Sequence, residues 1–222
     1  MADKMKNKNI YMQMIRCIFG LFIFGFGLSM TVAADIGLAP WDVLAMGLSY
    51  HSPLSYGNAL IVISIAVLVL VLLLREKIGF GTIFDALLVG VFVDFFSWTE
   101  LIGTPDSVTE SIVVFIAGML IIAVGQYFYM SSEQGCGPRD TLLIGLGKRM
   151  KKVPIGVVNT IILCVVLAAG FLLGGPVGIG TFLGAFGLGT ALQIVCRVFH
   201  FEPRDVVHKN IFEAVRIMRH QK

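Results

Sequence analysis

Six long apolar stretches, each closed off by polar or charged residues, divide the chain at residues 10–34, 57–74, 78–98, 108–130, 154–173 and 178–198. A helix needs about 20 apolar residues to cross a bilayer, and each stretch meets or approaches that length. Two further pieces, 37–52 and 135–147, are too short and too interrupted to cross. Each is expected to hold a short helix begun by a proline, Pro40 or Pro138. Residues 99–107 form a polar link with Glu100 and Asp106 but no Lys or Arg. In the tail, 203–222, Val207, Ile211, Ala214, Val215 and Met218 share one face. That pattern predicts an amphipathic helix, lying on the membrane surface or packed on the protein.

The two short pieces are copies of one another. Gly37-Leu38-Ala39-Pro40-Trp41-Asp42 returns 98 positions later as Gly135-Cys136-Gly137-Pro138-Arg139-Asp140. Asp35 matches Glu133, and Gly27 matches Gly125. Gly79-Phe80-Gly81-Thr82 returns as Gly178-Ile179-Gly180-Thr181, and Asp94 falls opposite Gln193. A period near 100 is too long for a solenoid and indicates a duplicated half-protein.

Composition agrees with a membrane location. The chain is 57% hydrophobic and 14% charged, with mean hydropathy +0.88, whereas soluble domains carry roughly 25% charged residues. The net charge of +3 calls for no nucleic-acid partner, because basic residues flanking membrane helices are a topological signal. With the N-terminus inside and neither short piece crossing, Lys4, Lys6, Lys8, Arg16, Arg75, Lys77, the 148–152 cluster, Arg197 and the basic tail are all cytoplasmic. Arg139 alone falls outside that set. Three crossings per half then place the halves in opposite orientations. The expected fold is all-α: six transmembrane helices as a 3+3 inverted-topology repeat, each half with one short re-entrant helix, plus a C-terminal amphipathic helix. Residues 1–98 form the first repeat, 99–107 the linker, 108–199 the second repeat and 200–222 a cytoplasmic tail.

Irregular backbone at membrane depth is tolerated where it is buried in protein or lines a watery cavity. Inverted symmetry would bring the starts of both short helices together, where free N–H groups and positive dipole ends suit an anionic group. The candidate substrate-binding residues are therefore Ala39, Pro40, Trp41, Asp42, Gly137, Pro138, Arg139 and Asp140. Arg139 is a candidate clamp on a substrate anion, or alternatively a partner of Asp140, Glu133 or Asp42. Asp42 and Asp140 are read first as caps of their own helices. Asp35 and Glu133 are read as solvated at the two faces or as site groups. Asp85 is a candidate ion-coupling acid, or else an N-terminal-turn acid near water. Cys17, Cys136, Cys164 and Cys196 show no metal-ligand or disulfide spacing. No hydrolase or metalloprotease motif is present, and His51, His200, His208 and His220 lie near membrane edges or in the tail. Neither an enzyme nor a metal or cofactor site is expected.

The segments Gly27-Leu28-Ser29-Met30, Gly37–Leu44, Gly135–Asp140 and Gly175-Pro176-Val177-Gly178-Ile179-Gly180-Thr181 resemble the YczE/YitT-type family of small bacterial membrane proteins. The short basic tail places the chain nearer the YczE side. The resemblance implies a multi-pass protein of the bacterial cytoplasmic membrane and carries over no catalytic or binding residues. The function expected first is a secondary transporter or permease for a small anionic or zwitterionic metabolite, moved by rocking of the two halves. The alternatives are a substrate-capture subunit of an energised vitamin importer and a passive small-ion channel. The expected partners are the bilayer and a small-molecule substrate, with a homodimer left open.

Overall fold

The computed structural model describes residues 10–150, 152–202, 206 and 209–220, with side chains through 218. Lys4, Lys6, Lys8, Val207 and His208, named above, lie outside the described residues, as do Lys151 of the basic cluster and Pro203, Arg204 and Lys222 of the tail. The helices are α1 (Ile10–Ala33), α2 (Pro40–Tyr50), α3 (Tyr56–Leu73), α4 (Phe80–Trp98), α5 (Val108–Met130), α6 (Pro138–Arg149), α7 (Ile155–Leu172), α8 (Ile179–Val198) and α9 (Ile211–His220). Six of them, α1, α3, α4, α5, α7 and α8, are long and apolar enough to cross a membrane. Their surfaces outside the bundle carry Phe, Leu, Ile and Val, as a lipid solvent requires. The chain is an all-helical, multi-pass membrane protein.

Local chemistry sets the helix starts. Pro40 and Pro138 occupy the first turns of α2 and α6, where the missing N–H costs nothing. Ser55 Oγ accepts from Asn58 N at 3.1 Å and Ser107 Oγ from Glu110 N at 3.2 Å, satisfying orphan donors. Gly79 N donates to Thr82 Oγ1 at 3.2 Å, and Gly178 N to Thr181 Oγ1 at 3.1 Å.

The centre of the bundle is the α1–α5 pair, brought together by small residues. A Cβ on Gly20 would lie 2.8 Å from Gly125 O, and one on Gly27 2.7 Å from Gly118 O. Only glycine permits backbones this close, and the gain is close van der Waals contact between helices. Helix α4 packs on α1 and α8 on α5. The short helices cross over: α2 packs on α7 and α6 on α3.

Between α1 and α2 the chain turns at Asp35 (φ 49°) and Gly37 (φ 95°), and between α5 and α6 at Glu133 (φ 63°) and Gly135 (φ 121°). The backbone within these turns lies against the starts of α8 and α4. Gly180 N donates to Ile36 O at 2.7 Å, and Gly81 N to Gln134 O at 2.8 Å. A Cβ on Gly37 would meet Gly178 N at 2.4 Å. Glycine is thus required there by positive φ and by space.

In the tail the described helix starts at Ile211, where Asn210 Oδ1 accepts from Glu213 N at 2.8 Å while Glu213 Oε2 accepts from Asn210 N at 3.2 Å. This reciprocal pair is a capping box. Lys209 ahead of it is tied to the body: its N donates to Glu133 O at 2.9 Å, and its Nζ to Gln13 Oε1 at 2.7 Å and Glu133 Oε2 at 3.3 Å. Glu133 is therefore an internal anchor rather than a solvated group. Ala214 is buried while Phe212 is exposed.

Candidate functional site

The first turns of α2 and α6 open onto one cavity of about 370 Å³, within the range of small-molecule sites. Ala39, Pro40, Trp41 and Asp42 line it from one side, and Gly137, Arg139 and Asp140 from the other, with Asp85 of α4 between. Of the candidate substrate-binding and ion-coupling residues, only Pro138 is packed away from the cavity.

Arg139 joins the two short helices. Its Nη1 lies 3.6 Å from Asp42 Oδ1, and its guanidinium carbon sits 5.2 Å from the centroid of the Trp41 ring. The planar guanidinium suits both contacts at once. Asp42 is 6% exposed. Its Oδ1 has no hydrogen bond of good geometry, so the ion pair, rather than capping of α2, is its main interaction. The Tyr56 hydroxyl is a second side-chain neighbour of Asp42.

Asp85 lies against the start of α6. A Cβ on Gly137 would be 3.0 Å from Asp85 Oδ2 and 3.6 Å from the Tyr129 hydroxyl. Gly137 is thus small because two polar groups crowd the α6 N-terminus. Tyr129 is 4% exposed and its hydroxyl has no partner, although Tyr129 lines the cavity. Asp140 stands open to the cavity. Among the described residues, neither Asp85 nor Asp140 is in an ion pair. No cluster of His, Cys, Asp or Glu suited to a metal ion occurs among them either.

Several polar wall residues were not singled out by sequence: Tyr129 and Gln126 on α5, Ser64 on α3 and Asn159 on α7. The available signal was their polarity inside apolar spans, where such groups seek partners or a wet cavity.

The two helix pairs beside the cavity differ. A Cβ on Gly57 of α3 would lie 2.1 Å from Gly90 O of α4, and one on Gly90 2.2 Å from Gly57 O. Asp94 on α4 reinforces this join, accepting from Gly57 N at 2.8 Å and from Ser55 Oγ. Ninety-nine positions on, Gly156 of α7 and Gly189 of α8 have no atom within 4 Å of where a Cβ would sit. Gln193, matching Asp94, is exposed. The cavity extends between these parted helices, with Asn159, Ile162 and Leu163 on one wall and Leu188, Gly189 and Leu192 on the other.

Comparison with known proteins agrees with a membrane assignment and assigns no chemistry. The chain is 30% identical over 187 residues to an uncharacterised protein of Haemophilus influenzae, covering 82% of this chain and 84% of that one. It is 33% identical over 176 residues to the uncharacterised membrane protein YczE of Bacillus subtilis, covering 78% and 80%, and 27% identical over 188 residues to YyaS of the same organism, covering 81% and 92%. No solved structure matches. Residues 11–197 match a family of unknown function, DUF6198, and the chain belongs to that family, as a YczE-like member.

Proposed function

We propose that this protein is a secondary transporter for a small polar metabolite, built as a 3+3 inverted repeat with α2 and α6 as re-entrant helices. The observation that carries the reading is the difference between the matched pairs: α3 closed on α4 at Gly57 and Gly90, α7 parted from α8 at Gly156 and Gly189. In inverted-repeat transporters, alternating access arises when the two halves exchange conformations around a midplane site. The recurrence of the Ile36–Gly180 and Gln134–Gly81 hydrogen bonds and of the reciprocal Gly20–Gly125 and Gly27–Gly118 approaches supports a two-fold relation between the halves.

With the N-terminus cytoplasmic, as the basic residues favour, α3 starts and α4 ends at the outer face. The closed pair is then the outer gate and the parted pair the inner one, so the described conformation faces the cytoplasm. The membrane would be the bacterial cytoplasmic membrane, with the chain termini inside. Among the proposed site residues, Arg139, Asp42 and Trp41 lock the two re-entrant helices together. Asp85 is proposed as the coupling acid, through uptake and release of a proton.

The test is a double variant, Gly156→Cys with Gly189→Cys, oxidised in native membranes after the natural cysteines are replaced. A disulfide needs Cα atoms roughly 4.4–6.8 Å apart, a separation reached when α7 closes on α8. Cross-linking that abolishes cytoplasmic labelling of a cavity cysteine at position 159 is the expected result. Folded protein that never cross-links would contradict alternating access.

A further inference from the structure

We infer that the substrate carries a protonated primary amino group, and that Asp85, Asp140 and the Tyr129 hydroxyl receive it. The inference rests on the transporter reading above and names the substrate class of the same cavity.

Charge is the first argument. The charged residues lining the cavity are Asp42, Asp85, Asp140 and Arg139. The single cation is ion-paired to Asp42 and stacked on Trp41, and it is also an electrostatic neighbour of Asp85 and Asp140. Three acids thus share one base, and a free anionic ligand would have to compete with all of them for Arg139, an arrangement that opposes binding. A cation is drawn to the same place.

Geometry is the second argument, and it is independent of the charge count. Tyr129 is buried, yet its hydroxyl is orphaned at the edge of the cavity. A buried hydroxyl without a partner is costly, and such exceptions call for an explanation. Its near neighbour is Asp85, both groups converging on the space at Gly137. Asp85 and Asp140 are electrostatic neighbours of Tyr129 and of one another. Two carboxylates and one phenol oxygen supply three acceptors, and a primary ammonium has three N–H donors.

The remaining walls choose between an amine and an inorganic cation. Leu28, Leu60, Val89, Phe115, Met119 and Leu188 surround the polar floor, which suits the hydrocarbon part of an organic molecule. A hard metal ion wants about six oxygen ligands. Among the described residues no three His, Cys, Asp or Glu side chains cluster in a way that would hold one.

The experiment is thermal stabilisation of the purified full-length protein by n-pentylammonium, with pentanoate and sodium chloride at matched ionic strength. Pentylammonium is expected to raise the melting temperature saturably, and the other two are not. Asp140→Asn should weaken the apparent affinity about tenfold or more, and Tyr129→Phe by about two- to fivefold. Glu110→Gln, an acid far from the cavity, should leave the affinity unchanged. Stabilisation by pentanoate alone, equal stabilisation by sodium, or no response to the amine would each overturn the assignment. Those outcomes leave the transporter reading standing, since the 156–189 cross-link tests it without any ligand.

Discussion

Replacing Gly90 with alanine should tip the protein away from the described conformation, while the same change at Gly189 should tip it toward that conformation. A Cβ at Gly90 would come within 2.2 Å of Gly57 O, against 3.4 Å for ordinary contact. The helices α3 and α4 must then part by about 1.2 Å, because the nearest obstruction, Gly57 O, is helix backbone; Ile61 Cγ1 at 2.6 Å is a side chain that can turn aside. Overpacking of this kind costs about 1–3 kcal/mol, and the gain from removing a helix-interior glycine cancels, because α4 is helical in both conformations. A penalty of about 1–3 kcal/mol corresponds to a population shift of roughly 5- to 150-fold. Gly189 has nothing within 4 Å, so alanine there meets a clash only when α7 closes on α8. The assay is the rate at which an impermeant thiol reagent modifies Asn159→Cys from the cytoplasmic side, in a background without the natural cysteines. Gly90→Ala should slow labelling and Gly189→Ala should preserve or accelerate it. Shifts in the same direction from both, in folded protein, would refute the reasoning.

Other consequences concern the joints of the structure. Arg139→Ala strands the buried Asp42 carboxylate; since Arg139 is 30% exposed, the loss should be about 1–3 kcal/mol, below the 3–5 typical of a fully buried pair. Adding Asp42→Asn should recover part of the loss in thermal melts, and a strictly additive double variant would count against the pair. Asp94→Ala removes the acceptor for Gly57 N and Ser55 Oγ. It should cost about 0.5–2 kcal/mol, as loss of a helix cap does, and raise labelling of the cavity from the outer face. Lys209→Ala should speed amide exchange across 211–218 while leaving α1 protected, because Lys209 ties the tail to Gln13 and Glu133. Unchanged exchange in that segment would show that α9 is held by other contacts.

Much of this architecture was legible because bilayer solvation imposes length and polarity directly on sequence. All six apolar stretches became helices within two residues of their expected ends. The convergence of the two Pro-begun helices on one cavity was legible too, since a 98-residue echo of Gly, Pro and Asp marks equivalent backbone. What the sequence could not convey was side-chain partnership. Arg139 read as a substrate clamp or as a partner of Asp140, Glu133 or Asp42, and only coordinates choose Asp42 among these and add the Trp41 ring. Tyr129 was not singled out by sequence, although its hydroxyl is orphaned beside Asp85. The conformational difference between Gly57–Gly90 and Gly156–Gly189 was invisible because the residues are identical. Helix separation, rather than residue type, distinguishes them.

The most direct measurement compares spin-label distances at matched exposed positions, Asn58 with Val91 and Val157 with Thr190. Alternating access predicts two distance populations for each pair, anticorrelated: conditions that lengthen 58–91 shorten 157–190. A single fixed distance for both pairs, or lengthening of both together, would contradict it.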